Sequence, residues 1–354
     1  MAAANPLSRF IPRFAKANVL VVGDLMLDEF VWGKVNRISP EAPVPVVWVQ
    51  SESFMPGGAA NVASNLRALG GRVTIAGAVG EDRWGGLLLA ELGKRGMDTG
   101  PVLKTPRPTT VKTRVIAHHQ QVVRVDREQR EPLPLGAVDR IIGLVNARIK
   151  EADAVIIEDY GKGVITRQLL EAVLPMARRH GTIITVDPKE EHFDLYRGVT
   201  ALTPNRAEAG AAVGRELASD ADVRRAGEEI VRRLACDGLL VTLGEDGMWL
   251  FEDRGRQTRI PTVAQEVFDV AGAGDTVIAA FTLALASGAL IEQAARIANH
   301  AAGIVVGKLG VAVTSPEELS ATLTGALPKR RATDRLRRGG ARRLPGQRPL
   351  SARR

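Results

Sequence analysis

The sequence predicts an α/β fold: a doubly wound, mainly parallel sheet with helices on both faces. Short apolar runs that end in Gly, Asp or another polar residue are typical of buried parallel strands. These runs alternate with helix-like stretches, and such alternation implies crossover connections within one sheet. The apolar runs are residues 19–22, 73–76, 154–157, 182–186 and 239–242. The helix-like stretches are residues 59–69, 85–95, 138–152, 166–180, 206–213, 222–234, 277–286 and 293–306.

Two regions depart from this alternation and predict a small antiparallel sheet. Residues 29–35 with 44–50, and residues 109–116 with 121–126, alternate polar and apolar positions. A sheet built from them could not bury both faces, so we expect a β-lid that packs on the active site or on another subunit. We predict one large domain over residues 1–328, with lid segments near 29–50 and 109–126.

The composition indicates an ordinary globular protein. The chain has 354 residues, 45% of them apolar, and can bury a large core. Its apolar runs are shorter than the roughly 20 residues of a membrane span, and its N-terminus lacks a cleavable signal pattern, so we expect a cytoplasmic enzyme. The single cysteine, Cys236, cannot form an internal disulfide and is expected to be a buried thiol.

The net charge of +8 resides in the C-terminal tail. Residues 329–354 hold eleven Lys or Arg and one Asp, which leaves −2 for residues 1–328. This basic tail lacks an apolar pattern and is expected to be disordered. We expect a solvated extension with no specific nucleic-acid or membrane partner, and weak non-specific contact with polyanions is the alternative.

Residues 269–276, DVAGAGDT, lead directly into an apolar helix and carry the strongest chemical signal. Two glycines around an alanine let backbone N–H groups turn toward one point, and the helix N-terminus adds a positive potential. Asp275 lies inside this cradle, where a carboxylate can take a proton from a hydroxyl while the amides hold a phosphoryl group. The run predicts phosphoryl transfer from a nucleotide to an alcohol.

A segment nearer the N-terminus predicts a polyol site. Gly57 and Gly58 allow close backbone approach to a ligand, and Asn61 can donate to and accept from sugar hydroxyls. A tight turn that requires glycine is the structural alternative. Asp24 ends the first predicted strand, where open sheets bind ligands, and it favours the ligand interpretation.

Several junctions between strands and helices add weaker signals. Asn205 and Glu208 could orient water around Mg²⁺, although the same spacing is a helix N-cap. Lys162 and Lys189 each follow a predicted strand and could bind a phosphate as point charges, although exposed lysines usually have no specific role. Thr242 begins a turn with Gly244 that could approach nucleotide phosphates. Asn299 could reach a purine edge, although taken alone it reads as an ordinary surface residue.

Other nucleotide and metal motifs are missing from the sequence. Adjacent histidines, 118 and 119, would point to opposite faces of a strand, so they predict a polar hairpin turn rather than a metal site. There is no Gly-x-x-x-x-Gly-Lys-[Ser/Thr] P-loop, and no Gly-x-Gly-x-x-Gly follows the first strand. These absences exclude a P-loop enzyme and an obvious dinucleotide dehydrogenase.

Three motifs in order, residues 57–61, 205–208 and 269–276, resemble those of the ribokinase-like (phosphofructokinase B type) sugar kinases over residues 17–325. Within that family, residues 23–28, 32–46 and 159–163 resemble the kinases of D-glycero-β-D-manno-heptose 7-phosphate, which act in ADP-heptose synthesis for lipopolysaccharide. The resemblance implies ATP-dependent phosphorylation of this sugar phosphate at O1, a requirement for Mg²⁺, and a homodimer joined through the β-lid.

The resemblance also implies a role for each matched residue. Asp275 would be the general base. The anion hole would consist of the amides of Gly272, Ala273 and Gly274. The nucleotide would contact Asn205, Arg206, Ala207 and Glu208, with Asn205 and Glu208 also holding Mg²⁺ through water. Thr242, Gly244 and Asn299 are added to this nucleotide site on the residue patterns described above. The sugar would contact Asp24, Gly57, Gly58 and Asn61, and its 7-phosphate needs a cation from among Lys112, Arg114, Lys162 and Lys189.

The sequence departs from the family pattern at two points. Ala271 stands where relatives often carry Ser or Thr, which a cradle built from backbone should tolerate. The His-x-Gly-His signature of a nucleotidyltransferase is absent, so we expect the adenylylation step to belong to another protein. The rival interpretations are a ribokinase-like kinase for another sugar phosphate or a nucleoside, and a polyanion-binding protein that acts through its tail.

Overall fold

Strands and helices alternate along most of the chain in the computed structural model, which describes residues 5–118, 120–264, 267–308 and 310–325. His119 and the tail, residues 329–354, lie outside the described residues. The strands are β1 (Asn18–Gly23), β2 (Leu25–Ile38), β3 (Pro45–Gly58), β4 (Arg72–Gly80), β5 (Val102–Thr105), β6 (Thr110–Ala117), β7 (Gln120–Arg127), β8 (Ala154–Glu158), β9 (Ile183–Asp187), β10 (Ala201–Leu202), β11 (Gly238–Thr242), β12 (Met248–Glu252) and β13 (Gln257–Ile260). The α-helices are α1 (Ala59–Ala68), α2 (Arg83–Lys94), α3 (Leu135–Ile149), α4 (Arg167–Arg179), α5 (Arg206–Ala212), α6 (Asp220–Leu234), α7 (Ala273–Ala286), α8 (Ile291–Val306) and α9 (Pro316–Leu323).

The larger sheet confirms the predicted doubly wound architecture. Its order is β13-β12-β11-β10-β9-β8-β1-β4-β5, and all strands from β11 to β5 in this order run parallel. Because side chains alternate along a strand, Val19 and Val21 of β1 pack in one hydrophobic core, whereas Leu20 and Val22 pack in the other. Helices α1, α2, α7, α8 and α9 cover the first face, and α3 to α6 cover the second.

The smaller sheet is the predicted β-lid, with the strand order β3-β2-β6-β7. Strands β2 and β3 form one antiparallel hairpin, and β6 and β7 form another, as the alternating patterns predicted. The two hairpins are joined by a parallel pairing of β2 with β6, which the prediction lacked. The physical reason is that β2 follows β1 and β6 follows β5, so both leave the same edge of the large sheet in the same direction.

Helix α7 begins at Ala273, four residues earlier than predicted, which places Asp275 in its first turn. The sequence analysis did not predict an N-terminal 3-10 helix (Pro6–Lys16), whose Phe10 and Phe14 are buried in the first core. It also missed β10, whose two residues are too few to show a periodic pattern. No helix among the described residues is long and apolar enough to cross a membrane.

Candidate active site

The glycine-rich run forms a wall between two cavities at the carboxyl edge of the large sheet. One cavity, of 520 Å³, is lined mainly by polar and charged residues and has Ala271, Gly272 and Asp275 in its wall. The other, of 510 Å³, is more apolar and has Ala273 and Gly274 in its wall. We refer to them as the polar cavity and the apolar cavity. A group that passes from one to the other crosses the N-terminus of α7, where the helix dipole favours negative charge.

Asp275 is buried at this wall and accepts two hydrogen bonds. The hydroxyl of Tyr160 donates to its Oδ1 at 2.8 Å, and the amide Nδ2 of Asn61 donates to its Oδ2 at 2.5 Å. Burial raises the pKa of Asp275 to about 6, and these two hydrogen bonds limit the rise. A carboxylate with this pKa is ionised at neutral pH and can still accept a proton.

Tyr160 lies within the segment 159–163, and no role for it was predicted from the sequence. Tyr160→Phe removes a hydrogen bond that favours the ionised form of Asp275, so we expect the pKa of that carboxylate to rise further. A carboxylate that acts as a general base works only when ionised, so with Asp275 in the predicted role we expect activity to be lost as the pH falls through its pKa. We therefore expect the acid limb of the kcat/KM profile to begin near pH 6 in the wild type and at higher pH in the variant. An unchanged acid limb would contradict this positioning role.

The three amides predicted as an anion hole differ in availability. Gly272 has a φ of 75°, and a Cβ there would lie 2.8 Å from Asn61 Nδ2, so the turn requires glycine. The N–H of Ala273 donates to the carbonyl of Val270 at 3.2 Å, so in this structure that amide already has a partner within the turn. A Cβ added at Gly274 would meet no atom within 4 Å, which leaves open space where a phosphate could approach.

The polar cavity contains Asp28, which the sequence analysis did not select. Asp28 lies on β2, and its Oδ1 accepts a charge-assisted hydrogen bond from Arg114 Nη1. A Cβ at Gly57 would lie 2.5 Å from Asp28 Oδ2, and one at Gly58 would lie 2.6 Å from the carbonyl oxygen of Asp24, so packing within the protein requires glycine at both positions, as the structural alternative proposed. Contact of these glycines with a sugar stays a prediction. Alternation along β2, which puts Met26 and Asp28 on one face, is the signal that could have identified this carboxylate.

Asp24 has a different environment from the one predicted for a sugar ligand. Its side chain is 1% exposed and does not line the polar cavity. Its Oδ2 accepts hydrogen bonds from the N–H groups of Tyr160 and Lys162 at 2.9 and 3.0 Å, and its Oδ1 accepts from Val164 at 3.0 Å. In this structure Asp24 therefore holds the loop after β8 in place, because the strand end directs its carboxylate at three backbone donors. Its contact with a sugar stays a prediction.

Asp24→Asn tests this positioning role. The amide nitrogen of Asn cannot accept a hydrogen bond, so at least one of the three N–H groups loses its partner, at a cost of about 1–3 kcal/mol in the free energy of unfolding. The loop carries Tyr160 and Lys162, so activity should fall with stability. We expect a lower urea midpoint than in the wild type and than in Asp139→Asn, on the exposed face of α3. A wild-type midpoint would contradict the role.

All four predicted cations line the polar cavity, and each is paired with a carboxylate. Lys112 and Lys162 both contact Glu128, Arg114 contacts Asp28, and Lys189 contacts Glu190. The structure adds two arginines that the sequence analysis missed, because they lie on or just after β7, at positions without a motif. These two are Arg124 and Arg130.

The apolar cavity brings together three of the residues predicted to bind nucleotide. Thr242 ends β11, Gly244 follows it with a φ of 63°, and Asn299 projects from α8. Asn299 is 4% exposed and its Nδ2 donates to the carbonyl of Pro261 at 2.8 Å, so it is not the surface residue that the isolated pattern suggested. Its lining includes the apolar side chains of Val277 on α7 and of Ala302 and Val306 on α8, against which an aromatic base can pack.

The segment 205–208 forms the capping box of α5. Asn205 Oδ1 accepts from the N–H of Glu208 at 3.0 Å, and Glu208 Oε2 accepts from the N–H of Asn205 at 2.8 Å. The N-cap alternative is therefore confirmed. Arg206 pairs with Asp246 at 2.8 Å, and together with Ala207 it lines a separate depression rather than either cavity. The structure does not bring these two residues to the predicted nucleotide site.

The carboxylates of Glu158, Asp187 and Asp275 lie close together beside the wall between the two cavities. Glu158 and Asp187 end the neighbouring strands β8 and β9, and both have oxygen atoms within 4.8 Å of Asp275. Glu158 is fully buried, and among the described residues neither of its carboxylate oxygens has a hydrogen-bond partner. Burial raises the pKa of Glu158 well above its ordinary range, and burial followed by the charge of Glu208 does the same for Asp187. Neither Glu158 nor Asp187 was selected from the sequence, because neither belongs to a recognised motif.

Two minor predictions can also be compared with the structure. His118 lies in the turn between β6 and β7, where its Nε2 is 3.1 Å from the carbonyl oxygen of Val35, in agreement with a polar hairpin turn. Cys236 is buried, and burial raises the pKa of its thiol to about 12. The thiol is therefore protonated at neutral pH, as expected for a structural cysteine.

The geometry at the head of α7 is that of a phosphotransferase with an alcohol acceptor. A search of known families leads to the same class, since residues 16–318 match the pfkB family carbohydrate kinases. The chain belongs to this family.

Individual relatives refine the comparison. The chain is 48% identical over 313 residues to the bifunctional protein HldE of Trichlorobacter lovleyi, and 47% identical over 307 residues to that of Geobacter sulfurreducens. These alignments cover 88% and 86% of this chain but only 64% and 63% of the relatives. The chain thus spans less than two thirds of the length of these relatives.

Solved structures agree on the fold. The Escherichia coli phosphofructokinase-2 in complex with substrates and products superimposes with a TM-score of 0.73 at 21% identity, over 88% of this chain and 100% of that one. Arabidopsis thaliana ribokinase complexed with ribose and ATP gives a TM-score of 0.69 at 20% identity, over 87% and 98%. At these identities the similarity shows the fold alone.

Proposed function

We propose that the chain transfers the γ-phosphoryl group of ATP to O1 of D-glycero-D-manno-heptose 7-phosphate, which yields D-glycero-β-D-manno-heptose 1,7-bisphosphate. The observation that carries the proposal is the position of Asp275, in the wall between a polar and an apolar cavity at the start of α7. We place the reaction in the cytoplasm, on the route to ADP-heptose and the lipopolysaccharide inner core.

Each part of the wall has a role in the transfer. Asp275 takes the proton from O1 as this oxygen attacks the γ-phosphorus, and the bond to the β-phosphate oxygen of ATP breaks, so ADP leaves. The amides of Gly272 and Gly274 and the α7 dipole stabilise the negative charge that spreads over the transferring group. Asn61 and Tyr160 fix the orientation of the base, and Asp28 is the carboxylate available to sugar hydroxyls.

The nucleotide occupies the apolar cavity in this proposal. Its base packs between α7 and α8, near Asn299, and its phosphates extend past Thr242 and Gly244 toward the wall. This arrangement leaves the polar cavity for the sugar phosphate, in agreement with the charged residues that line it.

The carboxylates beside the wall fit a Mg²⁺ ion. Hard oxygen donors are what Mg²⁺ prefers, and buried carboxylates without hydrogen-bond partners, as at Glu158, indicate that a positive charge is needed nearby. Glu158 and Asp187, whose oxygen atoms lie within 4.8 Å of each other, would hold the ion. Glu208, which Asn205 orients through the capping box, is the further carboxylate that the sequence assigns to it. When bound, Mg²⁺ neutralises charge on the phosphates of ATP.

The choice of a heptose phosphate has two supports. Residues 23–28, 32–46 and 159–163 resemble the heptose 7-phosphate kinases, and the most similar proteins described above are named HldE. In the structure, the first and third of these segments surround Asp24 and place Met26, Asp28, Tyr160 and Lys162 in the polar cavity.

The β-lid supports the proposal of a homodimer. Several of its large apolar side chains are exposed, among them Trp48 at 66%, Val125 at 55% and Trp32 at 40%. Large apolar side chains exposed on a small sheet are typical of surfaces that bind another subunit. Light scattering should give twice the chain mass for the wild type, and the chain mass for a Trp48→Lys, Val125→Lys double variant.

A panel of acceptors tests the proposed function. We expect coupled ADP detection to show the highest kcat/KM for D-glycero-D-manno-heptose 7-phosphate among sugar phosphates, free sugars and nucleosides. Preference for another acceptor would favour the rival kinase assignment. If removal of residues 329–354 abolished function while Asp275→Asn had no effect, the polyanion-binding alternative would replace it.

A further inference from the structure

Three cations from separate segments converge on one carboxylate beside the polar cavity. Glu128 Oε2 lies 2.9 Å from Lys162 Nζ and 3.4 Å from Lys112 Nζ, and its Oε1 accepts from Arg130 Nε at 2.8 Å. Lys112 belongs to the lid strand β6, Arg130 follows the lid strand β7, and Lys162 belongs to the loop after β8. The cluster therefore connects the lid to the large sheet.

The carboxylate lies behind the cations rather than in front of them. All three cations line the polar cavity, whereas Glu128 does not, and its side chain is only 10% exposed. Burial alone would raise its pKa, but the hydrogen bonds from Lys162 and Arg130 lower the pKa of Glu128 to about 2. Glu128 therefore stays ionised and holds the three side chains toward the cavity.

The charges of this cluster suit one kind of ligand. Lys112 is also 3.4 Å from Asp126, a carboxylate that Arg124 contacts at 2.7 Å. With Asp126 and Arg124 balancing each other, the three cations and Glu128 leave a net charge of two positive units, which a phosphate monoester dianion would neutralise. The other cavity cations are balanced within their own pairs. Arg114 contacts Asp28, Arg124 contacts Asp126, and Lys189 contacts Glu190.

We propose that Lys112, Arg130 and Lys162, arranged around Glu128, form a phosphate subsite. It binds the phosphate group that the acceptor sugar already has, at the end of the sugar distant from the hydroxyl that reacts. This inference rests on the proposed function, because it assumes that the acceptor is a sugar phosphate in the polar cavity. The subsite selects phosphorylated over free sugars, and a bound phosphate bridges the lid and the large sheet.

Charge-neutral variants test the subsite. Arg130 is 75% exposed at its side chain, so Arg130→Gln should fold normally, and Lys162→Gln provides a second, independent change. Loss of one charge-assisted hydrogen bond should raise the KM for heptose 7-phosphate by about 10- to 100-fold, with a much smaller effect on the KM for the unphosphorylated heptose. Arg167→Gln, an exposed arginine on α4 away from the cavity, is the matched control.

The outcomes separate the subsite from the kinase proposal. If both variants changed the kcat/KM for the two sugars equally, the subsite would be wrong and the kinase assignment would stand. If the wild type turned over no sugar, the proposed function would fail, and calorimetry with inorganic phosphate would decide the subsite. Weaker phosphate binding in both variants than in Arg167→Gln would support it, and equal binding would overturn it.

Discussion

Asp275→Asn is expected to lower kcat by about 10³- to 10⁴-fold, because the variant has no group that can take the proton from the acceptor hydroxyl. Asn retains the shape of Asp275, so both the fold and the apolar cavity should remain intact. The Asn61 and Tyr160 donors would then face an amide, and the charge that they stabilise would be lost. Steady-state kinetics with coupled ADP detection measures the loss.

A second acidic residue provides the control for this prediction. Glu171 lies on the exposed face of α4 and lines neither cavity, so Glu171→Gln should retain kcat within a few fold. Equilibrium titration with an ATP analogue should show similar dissociation constants for the wild type and Asp275→Asn. Near-wild-type turnover in Asp275→Asn would overturn the assignment of the general base.

The two glycines of the wall should respond to alanine in opposite ways. In Gly272→Ala, the φ of 75° strains the new residue, and its Cβ would lie 2.8 Å from Asn61 Nδ2, the donor that holds Asp275. We expect a destabilisation of about 1–2 kcal/mol from the left-handed backbone and a large loss of activity. In Gly274→Ala, the Cβ meets no atom within 4 Å, and Ala favours the helix over Gly by about 1 kcal/mol.

Gly274→Ala should therefore be at least as stable as the wild type and yet fall in kcat by about 10²-fold, because the methyl group occupies the space in front of an anion-hole amide. Thermal unfolding and kcat, measured on the same preparations, give the comparison. If Gly274→Ala kept full activity, the phosphoryl group would not pass at this amide. A Gly272→Ala protein with wild-type stability would contradict the steric account of the turn.

Much of the fold could be predicted because local patterns and tertiary structure agree in this chain. The apolar run at 19–22 lies in β1, and its alternate residues pack in the two cores. The helix-like stretch at 59–69 corresponds to α1. The parallel pairing of β2 with β6 could not be predicted in the same way. It depends on where the two hairpins leave the large sheet, and no local pattern carries that information.

The candidate site was predictable where a backbone requirement fixes the residue type. Gly272 must be glycine because its φ is positive and because a Cβ would collide with Asn61. The glycine is therefore visible in the sequence as part of the motif at residues 269–276. Asp24 and Asp28 are both aspartates near the start of β2, and only the packing shows that the first binds backbone N–H groups and the second faces the cavity. Glu128 and Arg130 belong to no motif, since their association depends on lid geometry.

The central claim is the transfer of phosphate to the anomeric oxygen of a heptose 7-phosphate. The most direct test is phosphorus NMR of the products after incubation of the protein with Mg²⁺, ATP and D-glycero-D-manno-heptose 7-phosphate. We predict a new signal from a β-anomeric phosphate, in equal amount to the ADP formed, and no such signal with Asp275→Asn. ADP formation without an anomeric phosphate, or a phosphate on another oxygen of the sugar, would contradict the proposal.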